Sequence, residues 1–329
     1  MENASRNITY AQAICEATDQ AMQLDPSVIV IGQGTRDRGC IFGTVEGLFE
    51  KYGPSRVIEM SLSEPALAGI TIGAALDGVR PVFILQRTDF AFLIMDELIN
   101  HAAKWRYMFG GTGSVPITIR LITGRGWGQG PQHSQSLHAT LAHFPGLRVV
   151  MPTQADDAKG LLLNAIFSDD PVVFLESRPI HAGTAPVVEA PYVRSFGKAR
   201  ILREGTDMTL IATSHFVPDA LLAAERLLAD GVSVEVIDPV SISPLDTETL
   251  IASGQKTKRV VVADVSWAPF GFASEVSALL SERLFGTLRA PVARVTLPWA
   301  PTPTAPVLEK AFYPNVETII QTAKSVLKQ

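Results

Sequence analysis

Short runs of β-branched and aliphatic residues, with no polar alternation, recur through the first half of the chain. They are SVIVIG at 27–32, VIEM at 57–60, RPVFIL at 80–85, VPITIRLI at 115–122, LRVVMP at 147–152 and PVVFLE at 171–176. A strand with one face in water alternates apolar and polar side chains; a run apolar throughout must be covered on both faces. Stretches of helical spacing separate the runs, among them ITYAQAICEATDQAMQL at 8–24, PALAGITIGAALDG at 65–78, FLIMDELINHAAKWRYMF at 92–109 and DDAKGLLLNAIF at 156–167. This alternation predicts an α/β fold, a parallel sheet between two layers of helices.

The rhythm breaks in SRPIHAGTAPVVEAPYVRSFGK, rich in proline and small residues, and restarts with DMTLIAT, VSVEVID, RVVVAD and PVARVTL, again alternating with helical stretches. With 329 residues, two domains are the natural expectation, each large enough to bury its own core. The boundaries predicted are 1–185 for the first domain, 186–198 for a linker and 199–329 for a smaller α/β domain.

Composition removes several function classes. Net charge is −5 with no run of basic residues, which argues against nucleic acid. Apolar residues make up 47% and mean hydropathy is +0.20, yet the longest uncharged apolar stretch, Pro65 to Leu76, is too short to span a bilayer. The surplus apolar surface is expected at buried strands and a large subunit interface. Cys15 and Cys40 offer neither a disulfide framework nor metal-ligand spacing and read as reduced thiols. The opening MENASRN has no apolar segment of the secretory kind, so a cytoplasmic location is expected.

Three stretches emerge at the carboxyl ends of predicted strands, where ligands bind in such folds. In MSLSEPALAG, Glu64 precedes Pro65, a favoured first-turn residue; the carboxylate suits a helix start whether or not it meets a ligand. In LQRTDF, Phe90 lies beside Gln86 and Asp89 and could stack on a flat heterocycle or face the core. In GWGQGPQHSQS, glycines expose the backbone around His133, a group able to move protons near neutral pH. No Walker loop, no GxGxxG after a strand and no nucleophile elbow is present; GTGSVP at 111–116 precedes a strand, the wrong order for a phosphate cradle. Read as an enzyme, the chain carries half of a site.

Together SEPALAGITIGAALDGVRPV, INHAAKWRYMFGG, GWGQGPQHSQS, FPGLRVVMPTQADDAKGLL and DDPVVFLE resemble the β subunits of thiamine-diphosphate-dependent 2-oxo acid dehydrogenase E1 components, those of pyruvate, branched-chain and acetoin dehydrogenases. VSVEVIDPVSISPLD, KTKRVVVADVS and RAPVARVT continue the likeness to the transketolase-type C-terminal domain, so it covers essentially the whole chain. The resemblance implies a pyrimidine-binding transketolase-like domain followed by that C-terminal domain. It implies that Glu64 hydrogen-bonds N1′ of the cofactor's aminopyrimidine, favouring the 4′-imino tautomer that activates the thiazolium. Phe90 would stack on the pyrimidine, with Leu62 and Gln86 at neighbouring cofactor contacts, and His133 would face thiazolium and substrate. The diphosphate and its Mg²⁺ would be held by an α subunit through a GDG motif that this chain lacks, giving an α2β2 heterotetramer. A lipoyl acyltransferase would receive the acyl group from a 2-oxo acid. Some members also bind K⁺ through main-chain carbonyls; the matching positions are Ile117, Ala165, Ile166, Ser168 and Asp170, the last two departing from the common pattern.

Other departures stand out. The acid usual after VIVIG is Gln33, which cannot ionise and so breaks the proton path thought to couple paired sites. Gln86 replaces an expected methionine, and LPWAPTPTA lacks an aspartate common before its prolines. Two further readings therefore stay open: a split thiamine-dependent carboligase or transketolase-like subunit, and a non-catalytic binding subunit of the same fold.

Overall fold

The computed structural model describes residues 5–37 and 39–328. By its internal packing the chain divides into two compact bodies, residues 1–124 with 141–196, and residues 125–140 with 197–329.

In the first body six parallel strands lie side by side in the order Arg148–Val150, Val172–Ser177, Thr118–Thr123, Arg80–Leu85, Val28–Gly32 and Val57–Glu59. Every residue of Thr118–Thr123 and Val172–Ser177 is buried, the two-sided cover that the apolar runs demand. The chain passes from Val28–Gly32 outward to Val57–Glu59 and then back across to Arg80–Leu85. Such a reversal, here at Val28–Gly32 and Arg80–Leu85, is the switch point of an open parallel sheet, where a crevice beyond the strands' carboxyl ends takes ligands. The backbones there are close: a Cβ on Gly32 would stand 2.6 Å from the carbonyl oxygen of Ile84.

Helix Tyr10–Leu24 begins at a capping box in which Thr9 and Gln12 satisfy each other's backbone N–H groups. It buries Tyr10, Ala13, Ile14, Ala17, Thr18, Ala21 and Met22, a single face at three- and four-residue spacing. The long helical stretch expected over 92–109 is broken. A 3-10 turn covers Thr88–Ile94, a wider i→i+5 segment covers Asp96–Ala102, and a short α turn covers Trp105–Met108.

In the second body a sheet of five strands runs in the order Ala293–Leu297, Val260–Trp267, Met208–Ala212, Val234–Asp238 and Arg200–Arg203, parallel except for the last. Helices Phe216–Ala229, Thr247–Thr257, Phe272–Arg283 and Val316–Leu327 accompany it. No helix among the described residues is long and apolar enough to cross a membrane.

The observed division departs from the expected boundaries at two places, and both have physical causes. The expected linker, 186–198, is largely packed against the first body. Strand Thr184–Val188 pairs antiparallel with Ser5–Thr9, and Lys159, whose side chain is fully buried, donates to Glu16 Oε1 at 2.6 Å and to the carbonyls of Val188, Glu189 and Ala190 at 2.7–3.1 Å. A buried ammonium requires such acceptors, and the proline-rich segment supplies three of them. The second departure is 125–140, which sequence continuity assigns to the first domain and packing assigns to the second.

Candidate functional site

The first group of candidate residues lies in the first body, after the carboxyl ends of strands Val57–Glu59 and Arg80–Leu85. Glu64 opens helix Glu64–Leu76, followed by Pro65 at a position whose missing N–H costs nothing. It is only 8% exposed, and its carboxyl has no hydrogen-bond or ion-pair partner among the described residues. The side chain is mostly covered while its carboxyl stays open to solvent and unpartnered, so a ligand that hydrogen-bonds it fits this position. Leu62, two residues earlier, is 80% exposed. Gln86 and Phe90 follow strand Arg80–Leu85 and are half-buried. The Gln86 amide donates to the carbonyl of Gln33 at 3.1 Å, linking the loops on either side of the crevice. Gly34, at φ +73°, lies directly against that amide, and a Cβ there would overlap Gln86 Nε2.

Gln33, standing where an acid was expected, has a buried side-chain nitrogen with no partner. The carboxylate that organises its loop comes instead from Glu59, which accepts from Gly34 N at 2.7 Å, Thr35 Oγ1 at 2.7 Å and Arg36 N at 3.0 Å. Burial opposes ionisation of Glu59, but these hydrogen bonds outweigh it and hold the carboxyl below its ordinary value.

His133 belongs to the second body. It follows the 3-10 turn Gly130–Gln132, is half-buried, and neighbours Ser134, whose buried hydroxyl has no hydrogen-bond partner. The loop's glycines serve its own body. Gly128 and Gly130 sit at φ +69° and +65° against Thr304, so that a Cβ on Gly128 would be 3.1 Å from the Thr304 carbonyl and one on Gly130 would overlap Thr304 Oγ1. Gly126 N donates to Glu309 Oε1 at 3.0 Å, and the Arg125 guanidinium stands 4.3 Å over the Tyr313 ring.

The strongest anchor of this loop escapes the motif reading. His138 Nε2 and Asp264 Oδ1 are 2.9 Å apart, both side chains buried; Thr213 Oγ1 donates to the same oxygen at 3.0 Å and Ala273 N to the other at 3.3 Å. The only sequence signal is an aspartate within the apolar strand VVVAD, which asks for a partner but does not name one 126 residues away.

The five carbonyls expected for K⁺ all accept hydrogen bonds within the chain. Ile117 O receives Val172 N at 3.0 Å, Ala165 O receives Ser168 N at 3.1 Å, and Asp170 O receives Ser168 Oγ at 3.0 Å. Ile166 O and Ser168 O both receive Arg80 Nη1, at 3.4 and 3.1 Å. Among the described residues no cluster of histidine, cysteine and carboxylate side chains could hold a metal ion. Cys15 donates to the Glu46 carbonyl at 3.3 Å, and burial pushes its thiol up to about 11, so it is a poor nucleophile; the Cys40 side chain lies outside the described residues.

Comparison with known proteins shows the family of the chain. The pyrimidine-binding domain of transketolase matches residues 6–182, and the transketolase C-terminal domain matches residues 197–319. The chain is 38% identical to the β subunit of acetoin:2,6-dichlorophenolindophenol oxidoreductase of Cupriavidus necator, covering 98% of each. It is 37% identical to the pyruvate dehydrogenase E1 component subunit β of Bacillus subtilis, over 98% of this chain and 99% of that one. With the mitochondrial pyruvate dehydrogenase E1 subunit β-2 of Oryza sativa it shares 40% over 98% of this chain and 86% of that one. Among solved structures a split-gene transketolase, an inactive β4 tetramer, superposes with a TM-score of 0.77 at 22% identity over 98% of both chains, a likeness of fold.

Proposed function

The chain belongs to the transketolase-type family that includes the β subunits of pyruvate dehydrogenase E1 and of acetoin oxidoreductase, and from that premise we propose that it is the β-type subunit of a thiamine-diphosphate-dependent enzyme acting on a 2-oxo acid. The observation that carries the reading is Glu64, a largely buried residue after the carboxyl end of strand Val57–Glu59 whose carboxyl has no protein partner among the described residues. When bound, thiamine diphosphate supplies a nucleophilic carbon and an electron sink for decarboxylation.

This chain's residues serve that chemistry from the pyrimidine side. Glu64, with no protein partner among the described residues to compete for it, holds a proton at N1′. Phe90 packs on the pyrimidine, and the Gln86 amide, bonded to the Gln33 carbonyl, ties the loop after Val28–Gly32 to the one after Arg80–Leu85. Leu62 is exposed in the single chain and becomes a contact when the site is completed. His133 hydrogen-bonds or protonates the reacting substrate. With the chain lacking a GDG motif, an α partner holds the diphosphate and Mg²⁺ in an α2β2 assembly, and a lipoyl acyltransferase accepts the acyl group.

The surface suits such assembly. Helix Glu64–Leu76 leaves Ala66, Gly69, Ile70, Gly73 and Leu76 exposed on one face, and Phe92, Leu93, Tyr107, Met108 and Phe109 are exposed nearby in sequence. Exposed apolar residues in such numbers mark an interface. A K⁺ would share Ile166 O and Ser168 O with Arg80, each oxygen offering its second lone pair; thermal unfolding in potassium against choline chloride reads whether it does.

Co-expression with an α partner and a turnover screen of pyruvate, branched-chain 2-oxo acids and acetoin, with a dye as electron acceptor, tests the proposal. Decarboxylation of a 2-oxo acid that depends on added thiamine diphosphate is expected. An assembled complex inert towards every 2-oxo acid would sink it.

A further inference from the structure

The reversal of strand order that marks a ligand position in the first sheet recurs in the second. There the chain passes from Met208–Ala212 outward to Val234–Asp238 and then back across to Val260–Trp267. In open parallel sheets the crevice beyond the strand ends at such a reversal takes a ligand. Here it takes a side chain of the protein's own. Asp264 lies in Val260–Trp267, one residue past the pairing of Ala212 with Ala263, and its side chain is fully buried. Thr213, the residue after Met208–Ala212, donates to Asp264 Oδ1 at 3.0 Å, and its hydroxyl accepts from Val265 N at 3.2 Å. Ala273 N, in helix Phe272–Arg283, donates to the other oxygen at 3.3 Å. Two adjacent strands and a helix thus fix this carboxyl before anything from the loop reaches it. His138 Nε2, 2.9 Å away, completes the set, its buried ring standing edge-on to Phe272 with centres 6.1 Å apart.

A buried polar pair is often no more stabilising than apolar side chains of similar volume; its use is to fix one geometry. What it fixes here is the loop 125–140. The other end of that loop is held by Gly126 N on Glu309 and by Gly130 against Thr304, and His133 lies between the two attachments. We propose that His138 and Asp264 are positioning residues, a clamp through which the switch point of the second sheet sets the place of His133. The second body then serves the reaction from a crevice that holds a loop in place of a ligand. The catalytic consequence rests on the reading of His133 as a substrate-side group; the clamp itself does not.

Hydrogen exchange of backbone amides in the full-length chain tests the clamp, and kinetics of the enzyme assembled with its α partner test the consequence. His138→Phe keeps a ring beside Phe272 and removes the polar contact. In it the amides of residues 126–137 should exchange about 10-fold faster, the scale of one lost hydrogen bond, while those of Met208–Ala212 and Val260–Trp267 stay at parent rates. Its kcat should fall about 10-fold as well, with the Kd for thiamine diphosphate and hydrogen–deuterium exchange at cofactor C2 unchanged. His138→Gln, whose amide reaches the position of Nε2, should restore both loop protection and kcat. Thr213→Val removes one support of Asp264 and leaves the loop's own residues alone, so it should loosen the same amides to a smaller extent. That variant decides the matter should His138→Phe fail to fold. Unchanged loop exchange in both variants would overturn the clamp. Faster exchange spread equally through the second body's strands would overturn it too, as the mark of a merely structural pair. A loosened loop with parent kcat would overturn the positioning role. A parent complex inert towards every 2-oxo acid would defeat the function reading alone, and amide exchange would still judge the clamp.

Discussion

The crevice around Glu64 and the loop around His133 both leave the carboxyl ends of parallel strands, yet they are held by opposite means. The crevice is tied by partners close in the chain: Glu59 is 25 residues from Gly34, and Gln86 is 53 from Gln33. The His133 loop is tied by partners far away, with 183 residues between Gly126 and Glu309 and 126 between His138 and Asp264. A parallel sheet brings its strand-end loops to one edge by topology alone, so cofactor-side residues fall into place with the first domain. The loop that leaves the same edge later is carried by whichever body packs it, and here that is the second. The two halves of the candidate chemistry therefore stand on separately packed supports.

The largest effect expected tests the crevice. Glu64→Gln keeps the size and reach of the side chain but cannot give up or regain the needed proton. Turnover of the assembled enzyme should fall about 10²–10⁴-fold while assembly is unchanged. Near-parent activity would return Glu64 to a plain helix-start residue. On the other support, His133→Ala should lower turnover by about 10²-fold, with cofactor affinity and hydrogen–deuterium exchange at cofactor C2 unaltered. Exchange lost in step with turnover would mean that both supports serve cofactor activation, and the contrast would fail.

How far the sequence reveals each region follows from the same contrast. The uninterrupted apolar runs are enough to give the parallel sheet, since burial on both faces leaves no other arrangement. Glu64, Gln86 and Phe90 are legible because strand ends are visible in the sequence and ligands gather there. The anchor His138–Asp264 is not legible, because a buried polar pair is settled by tertiary packing and nothing local marks it. The segment 186–198, which falls between the two matched domains, is packed more closely than its composition suggests. Its prolines and small residues suggest a linker, while its carbonyls satisfy Lys159 and Gly160 gives room to Tyr192 and Arg194. The long helical stretch at 92–109 shows the limit of periodicity. Its apolar spacing is real, but Ala103 N donates to Leu98 O, a turn one residue wider than the pattern assumes.

Each body also carries one buried histidine that resists protonation, which offers a weaker and separable probe. Burial, helped by Arg178, Arg120 and Arg87, takes His181 down to about 3; burial, helped by Arg125, does the same to His215. The folded values lie below the ordinary 6.5, so the unfolded chain takes up these protons first. The stability from each neutral histidine is complete above about pH 6.5 and is lost as pH falls towards 3. Each should contribute up to about 1.4 kcal/mol per pH unit in that window. His181→Phe should flatten the acid dependence of the first body and His215→Phe that of the second, as read by denaturant unfolding between pH 6.5 and 4.5. Unchanged slopes in both variants would mean that other groups govern acid sensitivity.

The smallest effects are the most direct test of which support holds which loop. Gly34 and Gly130 are matched positions: each has a left-handed φ, and a Cβ on each would overlap a polar side chain, Gln86 for the first, with Asp37 Oδ2 also close at 3.3 Å, and Thr304 for the second. Alanine at either should cost about 1 kcal/mol for the backbone conformation and a comparable amount for the overlap. Only the overlap can be relieved from the partner side. Combining Gly34→Ala with Gln86→Ala, and Gly130→Ala with Thr304→Ala, should therefore recover about 1 kcal/mol in each double-mutant cycle, leaving the backbone cost behind. Cross-pairing Gly34→Ala with Thr304→Ala should be additive, because those residues serve different bodies. If the Gly130–Thr304 cycle were additive as well, the loop would owe its position to something other than the second body, and the division between the two supports would collapse.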